Sequence, residues 1–324
     1  MTFTVRPYTP TDFEDWDAFC AASHQATFLH SRRFLAYHGE RFKDHSVILE
    51  DAGRWVAVFP AALNPVQPFS VVSHPGLTFG GFVDQGALRG ERGVEALTSL
   101  CRFYADDGLE SLVYKAVPHF YHSVPSEDDL YALFRLGATR TRCDLSSTID
   151  LSNRAVPNER RRRSLKKAIR SGVTVDAGSH YLPSLWTVVT DNLQRKHGTS
   201  PVHSIAEITS LAELFPDNIR CVVGMLQGQV IAGLVLFCTR NVVHAQYIAS
   251  SEIGYDNAAL DVVFDHCIAN ATVSGKRWFD FGISTTDRGR ILNDGLYRFK
   301  SEFGGGGIVH EFYEIALSGY KNAC

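Results

Sequence analysis

No stretch of this 324-residue chain approaches the ~18 consecutive apolar residues that a membrane-spanning helix needs. The opening MTFTVRPYTPTDFEDW has neither a basic n-region nor an apolar h-region. Both absences lead to the expectation of a cytoplasmic protein without a membrane anchor. Seven cysteines, at 20, 101, 143, 221, 238, 267 and 324, form no C-x-x-C pair, and their odd number leaves at least one unpaired in a monomer, so reduced thiols are expected. His119 and His122 lack acidic or Cys neighbours at ligand spacing, and His310-Glu311 does not extend to H-E-x-x-H, so no metal is expected. Net charge is only -3, so polyanion binding would need a local patch. Phe279 to Gly282 contains Asp-Phe-Gly, but without the Gly-rich loop, strand lysine and His-Arg-Asp loop that a protein kinase requires.

What the chain does have is a globular composition, 45% apolar and 21% charged, and enough length for two cores. Helices are expected over 10–21 and 31–39, strands over 45–49, 55–63 and 71–83, then a helix over 90–107, a strand over 112–117, a helix over 127–136 and a strand over 142–151. The order then repeats. Helices over 159–171, 181–196 and 204–214 precede strands over 219–226, 229–239 and 242–249, with Gln-Gly and Arg-Asn as hairpin turns. A helix over 257–274, a strand over 276–283, a helix over 295–303 and a strand over 308–317 follow. The reading is α/β (α+β), with two domains, 1–151 and 152–324, joined by SNRAVPN, each a mixed, mostly antiparallel sheet flanked by helices.

Several side chains suit proton transfer. Histidine is the natural general base near neutral pH, and His203 in KHGTSPVHS and His244 in VVHAQYIAS are the candidates. For His203 the alternative is a helix-start residue beside Ser204, and for His244 a hydrogen-bonded strand histidine. Asp280 alternates with Phe279 and Phe281, so it faces away from them and either bonds the following loop or points into a cleft. Tyr247, placed on the opposite strand face from His244, offers a phenol to a leaving group or fills the core. On a helix Arg163, Lys166, Lys167 and Arg170 make one basic stripe, suited to phosphates, with Leu165 and Ile169 as the buried seam.

The run FDFGISTTDRGRILNDGLYRFKSEFG, 279–304, resembles the closing segment of the Fem-like branch of the GNAT acyltransferases: strand, polar loop, then FK-x-x-FG. FLHSRRFL, VYKAVPHFYHSVPSEDDLYALFRLGA and RRRSLKKAIRSGVTV are similar to further segments of such proteins. The resemblance implies tandem GNAT domains, the first framing substrate because it has no FK-x-x-FG counterpart. It implies acyl transfer to an amine of a sugar or cell-envelope precursor such as a nucleotide-linked sugar. It also implies that Lys300 faces the cleft and stabilises negative charge, and that His203 borders the acceptor pocket. The alternative for Lys300 is a surface lysine. Common GNAT enzymes carry a Q/R-x-x-G-x-G/A turn for pyrophosphate; here ASSEIGYDNAAL stands in its place, leaving Gly254 and Asn257 as cofactor-binding candidates with Arg163, Lys166 and Lys167. Acetyl-CoA or another acyl-CoA is the expected co-substrate, with no resident cofactor. Aminoacyl-tRNA transfer to a peptidoglycan precursor and a silent module for a phosphorylated ligand are the alternatives.

Overall fold

Two hairpins set by backbone chemistry show how each half begins. Ala52 and Gly53 both adopt positive φ, 50° and 73°, the geometry that matches a tight turn to strand twist, and they join Val47–Asp51 to Arg54–Phe59. Gln227 and Gly228 do the same, at 50° and 80°, between Ile219–Leu226 and Gln229–Cys238. The computed structural model describes residues 3–321, apart from the His197 side chain; Cys324 lies outside the described residues. The other six cysteines are free thiols.

The chain forms two compact units. One contains the residues up to Asp144, Thr286–Ile291 and those from Val309; the other contains Leu145–Thr285 and Leu292–Ile308. Element order suggested a division at 151/152. Instead the closing strand Gly306–Ala316 gives its larger part to the first unit, where Phe312 to Ala316 pair antiparallel with Lys115 to Ser111. Hydrogen bonds between distant segments decide this, and no local pattern announces them.

The first unit has an antiparallel set ordered Thr4–Pro7, Val47–Asp51, Arg54–Phe59 and Val83–Asp84. A second set joins Ala62–Asn64, Gln67–Val72 and Ser111–Lys115 to the closing strand. Gln67–Val72 and Ser111–Lys115 run parallel, the helix Glu91–Asp106 lying between them in sequence. That helix buries Leu97, Leu100 and Tyr104 in a core shared with Phe59, Tyr114 and Ile315. The strand expected over 71–83 is absent as one element: it ends at Val72, and His74 follows at φ 53°. The helix expected over 31–39 is one α-turn, Arg32–Leu35, continued as 3-10 turns that Gly39 breaks with a positive φ. The initial strand Thr4–Pro7 was not anticipated.

The second unit is built as a meander. Ile219–Leu226, Gln229–Cys238 and Val242–Ser250 pair antiparallel, and Thr174–Ala177 adds an outer strand beside Ile219–Leu226. After the helix Ala259–Val273 the chain returns as Trp278–Ile283, parallel to Val242–Ser250 and antiparallel to the end of Thr139–Asp150. On one sheet face Phe279 and Phe281 pack against Phe264 of that helix and Phe303. On the other, Trp186 of Leu182–His197 sits edge-on to Tyr247 with ring centroids 4.9 Å apart. The helix expected over 257–274 forms as Ala259–Val273, entered through Ala258 at φ 54°, and a separate short helix, Glu252–Asp256, precedes it.

Candidate active site

Paired residues of neighbouring strands share a face, so register decides which side chains meet. His244 is the register partner of Asp280 on the parallel strand. Their side chains touch: His244 Nδ1 lies 2.6 Å from Asp280 Oδ2. Asp280 is wholly buried, and its other oxygen accepts from Ser146 Oγ at 2.5 Å and Thr148 Oγ1 at 2.7 Å. Ser146 and Thr148 stand on the neighbouring strand in register with Ile283 and Asp280. Three donors converge on the carboxylate, so Asp280 accepts the hydrogen bond of Nδ1–H and leaves the lone pair on Nε2 for chemistry. The His244 side chain is 12% exposed.

The same pair marks the point where two strands part. Val242 to His244 pair with Trp278 to Asp280, and pairing stops there. Gly282 turns to φ 76° and the chain bends away. From Ala245 onward this edge of the strand has no strand partner among the described residues. An open edge next to a His-Asp dyad presents free backbone amides beside a base.

Tyr247 was expected on the face opposite His244. A β-bulge corrects this: Leu236 pairs with Ala245 but Val235 pairs with Tyr247, so Gln246 is the extra residue. Phe237 and Val235, the partners of His244 and Tyr247, lie two apart, which returns Tyr247 to the His244 face about 7 Å along the strand. Its hydroxyl lies 2.6 Å from His203 Nδ1 and accepts from the His203 amide at 3.2 Å. Burial pushes the Tyr247 phenol up to about 12, so it stays protonated. The four residues thus form two pairs on one face, His244 with Asp280 and His203 with Tyr247.

Lys300 is not a surface lysine. It is 3% exposed, and its Nζ donates to the carbonyls of Gly282 at 2.9 Å and Ile283 at 2.7 Å. Burial lowers it to about 8, against the pull of the Asp280 charge. The ammonium therefore binds the carbonyls that the strand exposes where it bends.

Residues 158–301 match the family model described as Acetyltransferase (GNAT) domain. FemX shares the fold across 98% of each chain, with a TM-score of 0.69 at 12% identity. L-PGS from Bacillus licheniformis covers 87% of this chain and 90% of its own, with a TM-score of 0.58 at 12% identity. A tandem GNAT protein from the clavulanic acid biosynthesis pathway covers 98% and 99%, with a TM-score of 0.52 at 12% identity. No curated protein matches the sequence.

Residues 158–301 are thus similar to a GNAT acetyltransferase domain, and the chain has the fold of FemX.

Within residues 158–301 the expected cofactor residues divide. Arg163, Lys166, Lys167 and Arg170 are exposed on the helix Glu159–Arg170, and no ion pair to them is present among the described residues. The buried seam of that helix differs from the expected one. Ile169 is 60% exposed, and Arg161 and Ala168 face inward instead. Arg161 lies under the rings of Phe299 and Phe303, with Nη1 2.8 Å from Asp261 and Nε 3.2 Å from Glu302. The Glu302 contact is a close approach of ions without hydrogen-bond alignment. The sequence could not reveal this, because an arginine among six other cations looks solvated until its partners, about 100 and 140 residues away, are known.

Gly254 does not offer its amide to a phosphate. Its N–H caps onto Ser251 Oγ at 3.1 Å, and a Cβ there would lie 2.4 Å from Ile231 O, so glycine lets the short turn Glu252–Asp256 press on the neighbouring strand. Asn257 Nδ2 donates to Ile253 O within the same turn at 2.9 Å. Among the described residues no group of His, Cys, Asp and Glu is arranged to hold a metal ion, and no helix is long and apolar enough to cross a membrane.

Proposed function

We propose that this GNAT domain is an N-acyltransferase that moves an acyl group from a coenzyme A thioester to an amine, with His244 as general base. The His244–Asp280 dyad beside the open edge from Ala245 carries the reading. His244 Nε2 takes a proton from the attacking amine as the nitrogen–carbon bond forms, and Asp280 stabilises the resulting imidazolium. The free N–H groups of the parted strand are suited to hold the oxyanion. As the carbon–sulfur bond breaks, the protonated Tyr247 on the same face supplies a proton to the thiolate. An extended donor arm carrying amides can pair with the open strand edge, and the cations of Glu159–Arg170 supply counter-charge for phosphates. Lys300 acts here by holding the bend that keeps the edge open. The acceptor is an amine of a sugar or cell-envelope precursor, a class that rests on the Fem-like resemblance.

One observation favours a second donor. The start of Ala259–Val273 is not a phosphate cradle: Ala258 is left-handed, Gly254 is capped, and Asp261 in the first turn pairs with Arg161. Aminoacyl-tRNA, an ester that needs no pyrophosphate cradle at that helix, fits this departure.

Calorimetric titration of the full chain with acetyl-CoA and coenzyme A decides between them. Micromolar binding, with acyl transfer to amino-sugar acceptors that is lost in His244→Ala, supports the first reading. Absence of binding at millimolar ligand sinks the thioester donor. RNA binding that falls steeply with salt then brings forward the second.

A further inference from the structure

The sheet face opposite the dyad carries a cavity within the same unit. It has a volume of about 340 Å³ and opens at the end of the sheet where Thr174–Ala177 stops covering Ile219–Leu226, since their pairing begins only at Val222. Leu236, Cys238, Val243, Cys267 and Ala271 form its floor, all of them buried. Burial raises the thiols of Cys221, Cys238 and Cys267, so they remain neutral and the floor stays apolar.

Charge at this cavity has one sign. Arg220 and Lys276 line it, and no carboxylate does. Lys276 Nζ is held by the carbonyls of Thr239 at 2.6 Å and Arg240 at 3.3 Å. Arg220 is exposed and makes no ion pair among the described residues. An apolar floor with two cations at its mouth is complementary to an amphipathic anion. A cavity of ~150 Å³ holds benzene, so 340 Å³ accommodates on the order of a dozen non-hydrogen atoms.

We propose that this cavity is a binding site for a medium-chain carboxylate, whose hydrocarbon tail lies on Leu236, Val243 and Ala271 and whose head meets Arg220 and Lys276. Val243 on its floor immediately precedes His244, and their side chains leave the strand on opposite faces. The site is thus separate from the acyl-transfer face and does not depend on the dyad.

Calorimetric titration of the full chain with decanoate, below its aggregation concentration, tests this. One-to-one binding is expected, weakened at least tenfold by Arg220→Glu and by Ala271→Leu, weaker for decanol, and unchanged in His244→Ala. Arg220 is exposed, so its variant reports on the site without a folding penalty. No saturable binding at millimolar decanoate, or binding indifferent to both substitutions, overturns the proposal. So does competition by acetyl-CoA, which would make the cavity part of the donor site.

Discussion

His244 and Asp280 are register partners on two parallel strands, joined side chain to side chain at 2.6 Å, and the strands separate directly after them. Asp280→Asn keeps the shape but removes the charge that fixes the Nδ1–H tautomer and stabilises the imidazolium. The expected loss in kcat is about 10²–10⁴-fold with KM little changed, as general-base function and the analogous tautomer defect elsewhere indicate. Steady-state kinetics with the donor and acceptor identified by titration check it; a change confined to KM would remove the dyad from the chemical step.

Ser146 and Thr148 act one step further back. Both donate to the buried Oδ1 of Asp280. Removing one donor leaves part of a buried carboxylate unsatisfied, so Ser146→Ala is expected to cost about 1–3 kcal/mol of stability. It also loosens the hold on Asp280 that positions His244, so kcat should fall with KM little changed. Denaturant melts together with steady-state kinetics separate the two effects; an unchanged kcat would make Ser146 purely structural.

Much of the second unit was legible because its signals are local. Ile219–Leu226 follows from an apolar, β-branched run closed by Gln-Gly, and Ile205–Leu214 from the Ser204 cap. The placement of Phe279 and Phe281 on one face, with Asp280 on the other, likewise follows from strand periodicity. The dyad itself was not legible: His244 and Asp280 meet only through a parallel register set by a helical crossover. Nor was the Gln246 bulge, which inverts the face of Tyr247 without any Gly or Pro to mark it. Ile169 misled for a different reason. A helix so rich in cations places whichever residue finds carboxylate partners inside, and that residue is Arg161.

Arg161 joins Asp261 and Glu302 in the core of the second unit. Burial raises Asp261 to about 6 despite the arginine beside it. Arg161→Ala leaves two carboxylates without their cation, for an expected loss of about 3–5 kcal/mol. Arg161→Met combined with Asp261→Leu and Glu302→Gln should recover most of it, because packing replaces the ions. Chemical denaturation of the two variants checks this, and equal losses in both would mean that the guanidinium matters through its stacking on Phe299 and Phe303.

Gly254→Ala distinguishes a packing glycine from a phosphate-binding one. The added Cβ meets Ile231 O and Ser250 Oγ, both 2.4 Å away. Overpacking against backbone costs about 1–3 kcal/mol. The melting temperature should fall while the affinity of the folded protein for acyl-CoA stays the same. An affinity loss without destabilisation would restore Gly254 to the donor site.

Lys300 ties stability to pH in a direction opposite to a salt-bridged lysine. Its folded value is about 8, against 10.5 for the free side chain, because burial disfavours the ammonium. Below pH 8 both states hold the proton and the burial penalty is present in full. Between pH 8 and 10.5 the unfolded chain binds more protons than the folded one, so this contribution to stability rises with pH, by up to about 3 kcal/mol at 1.36 kcal/mol per unit. Lys300→Met abolishes the rise but leaves the carbonyls of Gly282 and Ile283 without their donor, and the bend they form should relax toward Val242–Ser250. The difference in unfolding free energy between wild type and variant, followed from pH 7 to 10.5, isolates the lysine from tyrosines that titrate nearby. A flat difference would show that the two carbonyl bonds fully offset the burial of the charge, and a falling one that Lys300 is held by a stronger anion than Asp280 provides. Acyl transfer at pH 7 should be slower in the variant, and unaltered transfer would show that the site does not need Lys300.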